Sequence, residues 1–267
     1  MKSLNAQIAI PVDICNPGQF FACCGLFELA DRLYRGAEAW FHSKLFCLAA
    51  TSKNFEPSLP ELLLAIHAAK LELVDSANEM TTPLVLPDPF HLRLDWWNDT
   101  RSGGSELKTW AGQQKVVRIA RAMHATLADP QLHPASLLNS PAVLFDTEKS
   151  SDTVEPFYFD ARRAAQAHAV DIGFSPDAQN MTMPVFAAVE FLCLVGLQRF
   201  RPSSADDAGA RRYRSWHVPL LPAVAAAVAS GKSDVPYVSE FRFRLLYRTK
   251  YLKGFLNAVP NPEVTYE

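Results

Sequence analysis

The sequence predicts an α+β protein of mixed helices and mostly antiparallel strands. Three observations lead there. Two long apolar segments, "NPGQFFACCGLFELADRL" and "MPVFAAVEFLCLVGLQRF", read as buried helices started by Asn-Pro and Met-Pro. Short runs that alternate apolar and polar residues lie around them. Near the C-terminus, "EFRFRLLYRTKYLK" alternates aromatic or aliphatic with basic residues over ten positions, as a strand with two unlike faces does.

Taken in order, residues 8–14 are strand-like. Asn16-Pro17 then supplies an N-cap and a proline at the first helical position, and Gly36 fits the stop. Phe20, Cys24, Phe27 and Leu33 recur at core-facing intervals. "AWFHSKLFCLAA" reads as a strand, "PELLLAIHAAK" as a helix, and "LELVD" and "PFHLRLDWW" as strands. Leu92, Leu94 and Trp96 share one face of the last, with Arg93, Asp95 and Trp97 on the other. A helix is expected from Ser105, its N-cap, to about Asp129, with Glu106 in the first turn, where the helix dipole favours an acid. "AVLFD" and "PFYFD" read as strands. The helix after Met183-Pro184 closes at Arg201-Pro202 and loosely echoes the first: proline, aromatics, small residues, Gly-Leu, then arginine. "RPSSADDAGARR" is a polar loop, and "PAVAAAVASG" a short helix capped by Gly231. In the basic strand, Phe241, Phe243, Leu245, Tyr247 and Tyr251 line one face, and Arg242, Arg244, Arg248 and Lys250 the other.

A chain of 267 residues buries a substantial core. The seam "ADPQLHPASLLNSP" divides it into residues 1–130 and 140–267, the second half carrying the basic strand, unless the two form one continuous domain. Net charge is −2, but Arg199 to Lys253 hold eleven Lys/Arg against four Asp/Glu, so a local +7 stands against −9 elsewhere. Such asymmetry points to an anionic partner, or to arginines that solvate a surface and pair with acidic neighbours. The cysteines, Cys15, Cys23, Cys24, Cys47 and Cys193, form no CxxC and mostly sit in apolar stretches, as in a reducing, cytoplasmic compartment. "MKSLNAQIAIPVD" lacks a signal-peptide core, and the most apolar run carries Glu190 and is too short to span a bilayer, so no membrane partner is expected.

Residues 92–123 admit two chemistries. Asp95, Glu106 and Lys108 have D…ExK spacing, which could hold Mg²⁺ and a water in a nuclease if all three reached adjacent strands. The helical periodicity after Glu106 argues instead for a cationic helix face. Lys108, Lys115, Arg118 and Arg121 fall within an arc of roughly 140° at 100° per residue. Arg101 stands in the glycine-containing loop before them, and Trp97 and Trp110 could stack on bases or fill the core. The basic strand is the stronger signal: interleaved cations can follow a phosphate backbone, although charge also protects sheet edges. No GxGxxG, Walker A sequence or GxSxG occurs. His168, three residues before Asp171, has no further ligands nominated beside it, so neither a metal nor a cofactor is expected.

The blocks "LDWWND", "LKTWAGQQ", "PFYFDARRAAQAHAVDIGFSPD" and "GLQRFRP", then "YRSWHVPL", together with the N-terminal "NPGQFFACCGLFELADRL", carry a likeness over most of the chain. In these the chain resembles the short large-subunit-like, Csb-type protein of type I-U (I-G) CRISPR systems. The resemblance implies a non-catalytic subunit of a crRNA-guided surveillance complex (Cascade) in bacterial antiviral defence. Its partners would be crRNA, target DNA, the backbone and repeat-binding subunits, and the helicase-nuclease. Large subunits of this kind assist adjacent-motif recognition and strand separation, while base pairing reads the sequence. The family supplies no catalytic residues to carry over. From the local reading, the nucleic-acid-binding candidates are Arg101, Lys108, Lys115, Arg118 and Arg121, with Arg199, Arg201, Arg211, Arg212, Arg214, Arg242, Arg244, Arg248 and Lys250. Alternatives are the D…ExK nuclease and a structural adaptor whose basic surfaces meet acidic proteins.

Overall fold

The computed structural model describes residues 5–51, 56–79, 82–95, 115–162, 184–205, 209–233, 239–248 and 251–261. Its architecture is α+β, with every strand pairing antiparallel among those residues.

Strand β1 (Ile8–Pro11) leads into α1 (Pro17–Tyr34). Asn16 caps α1 as its sequence requires, its side chain accepting from the amides of Gly18 and Gln19. The helix stops where Arg35 and Gly36 turn to positive φ, 56° and 89°. Next come β2 (Glu38–His42) and β3 (Leu45–Ala49), which form a sheet in the order β1-β3-β2. The single strand expected over this stretch is therefore a hairpin. Ser43, at φ 56°, reverses the chain without the glycine or asparagine that usually signals such a turn.

Helix α2 (Leu59–Ala68) starts at Ser58, whose hydroxyl exchanges contacts with Glu61. A small sheet follows in the order β4 (Glu72–Leu73), β5 (Leu84–Leu86), β6 (Leu92–Leu94). Helix α3 covers only Val116–Ala125 and runs into a 3₁₀ turn over Thr126–Ala128. The helix expected from Ser105 begins later in the described residues: Lys115 is extended (ψ 121°) and serves as the N-cap, and residues 105–114 lie outside the described residues.

Neither "AVLFD" nor "PFYFD" is a strand; the first contributes only isolated bridges, Ala142 with Val185 and Phe145 with Thr153, and the second is irregular. The amides of Phe159 and Asp160 are taken instead by the buried carboxylate of Glu190, at 3.0 and 2.9 Å. Helix α4 spans Ala187–Arg199 and so starts three residues beyond Pro184. Val185 is unavailable to the helix because its amide and carbonyl are both exchanged with Ala142.

The polar segment after α4 also contributes structure. It holds β7 (Ser203–Ser204), and β8 (Ala210–Ser215) begins at its end. Helix α5 (Pro222–Ala229) is closed by Gly231 at φ 71°. The basic segment is two strands, β9 (Ser239–Arg248) and β10 (Tyr251–Phe255), with Tyr251 turned back opposite Arg248. Strand β11 (Val259–Pro260) also pairs with β9, beside a sheet ordered β10-β9-β8-β7.

The centre of the molecule is the α1–α4 pair. A Cβ on Gly25 would lie 1.9 Å from the carbonyl oxygen of Leu192, and one on Gly196 2.0 Å from that of Phe21. Backbones approach this closely only where side chains are missing. Three residues past each glycine, Glu28 meets Arg199, so the helices run in the same direction with matched turns. The loose echo between "FFACCGLFE" and "FLCLVGLQR" thus falls on equivalent positions across one helix contact.

Around this pair the core draws on both halves of the chain. Phe20, Phe41, Tyr213 and Trp216 pack ring on ring, with centroids from 4.3 to 6.1 Å apart. The Tyr213 hydroxyl donates to the Ile14 carbonyl and the Trp216 indole to that of Ala39. All five cysteines are free, and Cys23, Cys24, Cys47 and Cys193 are buried, as small hydrophobes are. No helix among the described residues is long and apolar enough to cross a membrane.

Candidate nucleic-acid interface

Strands β8 and β9 are amphipathic in the sense their sequences imply. Phe241, Phe243 and Leu245 are buried on the inner face with Tyr213. On the outer face the register sets Arg212 directly opposite Arg242, Arg214 opposite Glu240, and Arg244 opposite Ala210. Directly opposed residues share a face and lie about 5 Å apart at Cβ. Four arginines thus converge on one patch whose only carboxylate, among the described residues of those two strands, is Glu240.

Glu240 is nearly inaccessible. Its Oε2 accepts from Arg214 at 2.9 Å and its Oε1 from Asn261 at 3.0 Å. Burial disfavours its charge, yet these hydrogen bonds, with the positive field of Arg214 and Arg212, hold the carboxyl below its usual range. It therefore stays ionised and consumes one arginine. Arg212 donates from Nε to the Ser203 hydroxyl at 3.2 Å, and Arg244 is exposed. Arg248 ends β9 on the same strand. Arg211 has the opposite parity and sits across from Phe243, donating to the Ala210 carbonyl, so it is not part of this face.

The cations of α3 are differently placed. Lys115 pairs with Glu79, Arg118 with Asp146 and Asp152, and Arg121 with Glu148. The pKa of the Lys115 ammonium is pushed up, first by the hydrogen bond it donates to Glu79. Asp146 is held down, first by the amide of Glu148, which it caps along with that of Lys149. The expectation of an open cationic stripe is corrected here: one acid or more meets each described cation, Glu79 at Lys115 and the loop 146–152 at Arg118 and Arg121.

Arg199 is likewise structural. It and Arg32 both bond to Glu28, which is 1% exposed. Arg201 donates to the Gln198 carbonyl at 3.3 Å, just past α4. Arg101, Lys108 and Lys250 lie outside the described residues, as do Glu106, Trp97, Trp110, His168 and Asp171. Asp95 follows β6, half-exposed, its carboxylate accepting from Arg93 at 3.0 Å. Among the described residues no cluster of three or more His, Cys, Asp or Glu is placed to hold a metal.

The sequence reading missed a pair of histidines. His67 of α2 and His124 of α3 stack at 5.6 Å between centroids and 17° between planes. His124 Nε2 is 2.8 Å from the Ile66 carbonyl, and burial lowers its pKa to about 4. The positions are 57 apart in sequence, so no spacing rule could have joined them. Compared with known proteins, the chain has no significant match to any family model, curated protein or solved structure.

Proposed function

We propose that the protein is a non-catalytic nucleic-acid-binding subunit of a type I crRNA-guided surveillance complex, and that the β8–β9 face holds a phosphate backbone. The observation that carries this reading is the cross-strand pair Arg212–Arg242, flanked by Arg244 and Arg214 on one face. Like charges set directly opposite cost stability in a free sheet, and a bound polyanion reverses the sign of that term. No aromatic side chain shares this face among the described residues of β8 and β9, so it suits contact with phosphates and not readout of bases. That division of labour fits a complex in which guide pairing reads sequence. The resemblance in "LDWWND", "GLQRFRP" and "YRSWHVPL" supplies the setting: crRNA and opened target DNA as ligands, with backbone subunits, repeat-binding subunits and a helicase-nuclease as partners. The pairing of Asp95 with Arg93 offers no support to a Mg²⁺-dependent nuclease.

The test is binding by the R242A/R244A double variant, measured against salt. Affinity for RNA and DNA of unrelated sequence is expected to fall together, and the slope of log K against log salt to shrink by up to about 1.8, at about 0.9 per lost phosphate contact on duplex DNA. Unchanged affinity and slope would overturn the reading. Copurification of the protein with a guide RNA and repeat-binding subunits tests the setting.

A further inference from the structure

Between α2 and α3 lies a cavity of about 280 Å³, lined by His67, Lys70, Leu71, Arg121, His124, Ala125 and Thr147. We propose that it takes a single phosphorylated nucleoside, its base against the imidazole rings and its phosphate on Lys70 and Arg121. The chemistry is shared by a free nucleotide and by one unit of a bound strand.

Size is the first argument. The volume lies at the lower end of small-molecule sites, which begin near about 300 Å³, so it admits one ring system with its sugar and little more. Wall chemistry is the second. Leu71, Ala125 and the two near-parallel rings give flat, apolar surface, and imidazole is one of the side chains on which bases stack. His124 is fixed for this role by its bond to the Ile66 carbonyl and by the edge of Phe191, 5.1 Å from it. It is 4% exposed and stacked under the half-buried His67, so it backs the ring that faces the cavity, and burial keeps it neutral.

Charge at the rim is the third. Lys70 is exposed. The Arg121 guanidinium is held in place by the Leu71 carbonyl at 3.4 Å, and its carboxylate partner among the described residues, Glu148, has a side chain 76% exposed. An exposed ion pair of that kind is weak and yields to a phosphate, which the planar guanidinium binds in two-point fashion. A polar rim beside an apolar slot selects a ligand that is aromatic at one end and anionic at the other.

The pocket and the arginine face are formed by different elements, so each can fail alone. The experiment follows the imidazole proton signals of the full chain by NMR while AMP, adenosine or ribose 5-phosphate is added. AMP is expected to shift the signals of His67 and His124 saturably, and to bind at least tenfold more tightly than either fragment. Lys70→Glu, at an exposed position that leaves the fold intact, is expected to weaken AMP at least tenfold, and R242A/R244A to leave it unchanged. A short oligonucleotide that shifts the same signals more tightly than AMP identifies a strand as the source, and the reverse order identifies free nucleotide. Absence of any shift at millimolar AMP, or AMP binding insensitive to Lys70→Glu, overturns the proposal. Loss of polynucleotide binding in R242A/R244A with AMP binding retained bears on the arginine face alone.

Discussion

Glu28 and Arg199 stand on matched turns of α1 and α4, with Arg199 Nη2 3.0 Å from Glu28 Oε1. The carboxylate is 1% exposed, whereas its two arginine partners, Arg32 and Arg199, keep 28% and 38% of their side chains in solvent. The burial is asymmetric, and that sets the first expectation. Arg199→Ala leaves a buried carboxylate with one partner and should cost about 3 kcal/mol, the lower end of the range for breaking buried pairs. Glu28→Gln, which keeps the shape and frees two arginines able to re-solvate, should cost less. Urea unfolding midpoints of the two variants decide the order.

Gly25→Ala and Gly196→Ala oppose local propensity with packing. Alanine favours an isolated helix over glycine by about 1 kcal/mol. In this fold the added methyl falls about 2 Å from a backbone carbonyl of the partner helix, so the pair must separate. Overpacking of this kind costs typically about 1–3 kcal/mol and leads to a net loss of stability. A rise in thermal midpoint for either variant would contradict the close approach.

His124 makes stability depend on pH. Its folded pKa, about 4, lies below the ordinary histidine value of 6.5, so the fold favours the neutral ring and the unfolded chain binds the extra proton. The contribution is complete above about pH 6.5 and is lost as pH falls towards 4. It amounts to at most about 3 kcal/mol at 1.36 kcal/mol per unit. His124→Gln should flatten the curve of unfolding free energy between pH 4 and 6.5, while lowering it throughout through lost packing on Phe191.

The two sets of cations should respond differently to removal. Arg118→Ala removes a charge already met by Asp146 and Asp152, and should lower the melting temperature without changing the salt slope of nucleic-acid binding. Arg242→Ala should lower the slope by about 0.9 if its guanidinium meets one phosphate of duplex DNA. Equal slopes in both variants would place the contact elsewhere.

The sequence by itself determined the local elements whose signals are local. Asn16-Pro17 fixed the start of α1 and Gly36 its stop, Gly231 closed α5, and alternation in β9 separated Phe241 and Phe243 from Arg242 and Arg244. Those outcomes depend on neighbouring residues and on the period of the backbone. Only the tertiary structure decided which cations remain together. Lys115, Arg118 and Arg121 are paired with Glu79, Asp146, Asp152 and Glu148, brought from 27 to 36 residues away. Arg212 and Arg242, 30 apart, face each other because antiparallel register places them so. "PFYFD" has the pattern of a strand, yet its amides go to Glu190, a partner 30 or 31 residues on. Charge pairing and hydrogen-bond capture act through space at a few ångströms, and separation along the chain carries no record of them.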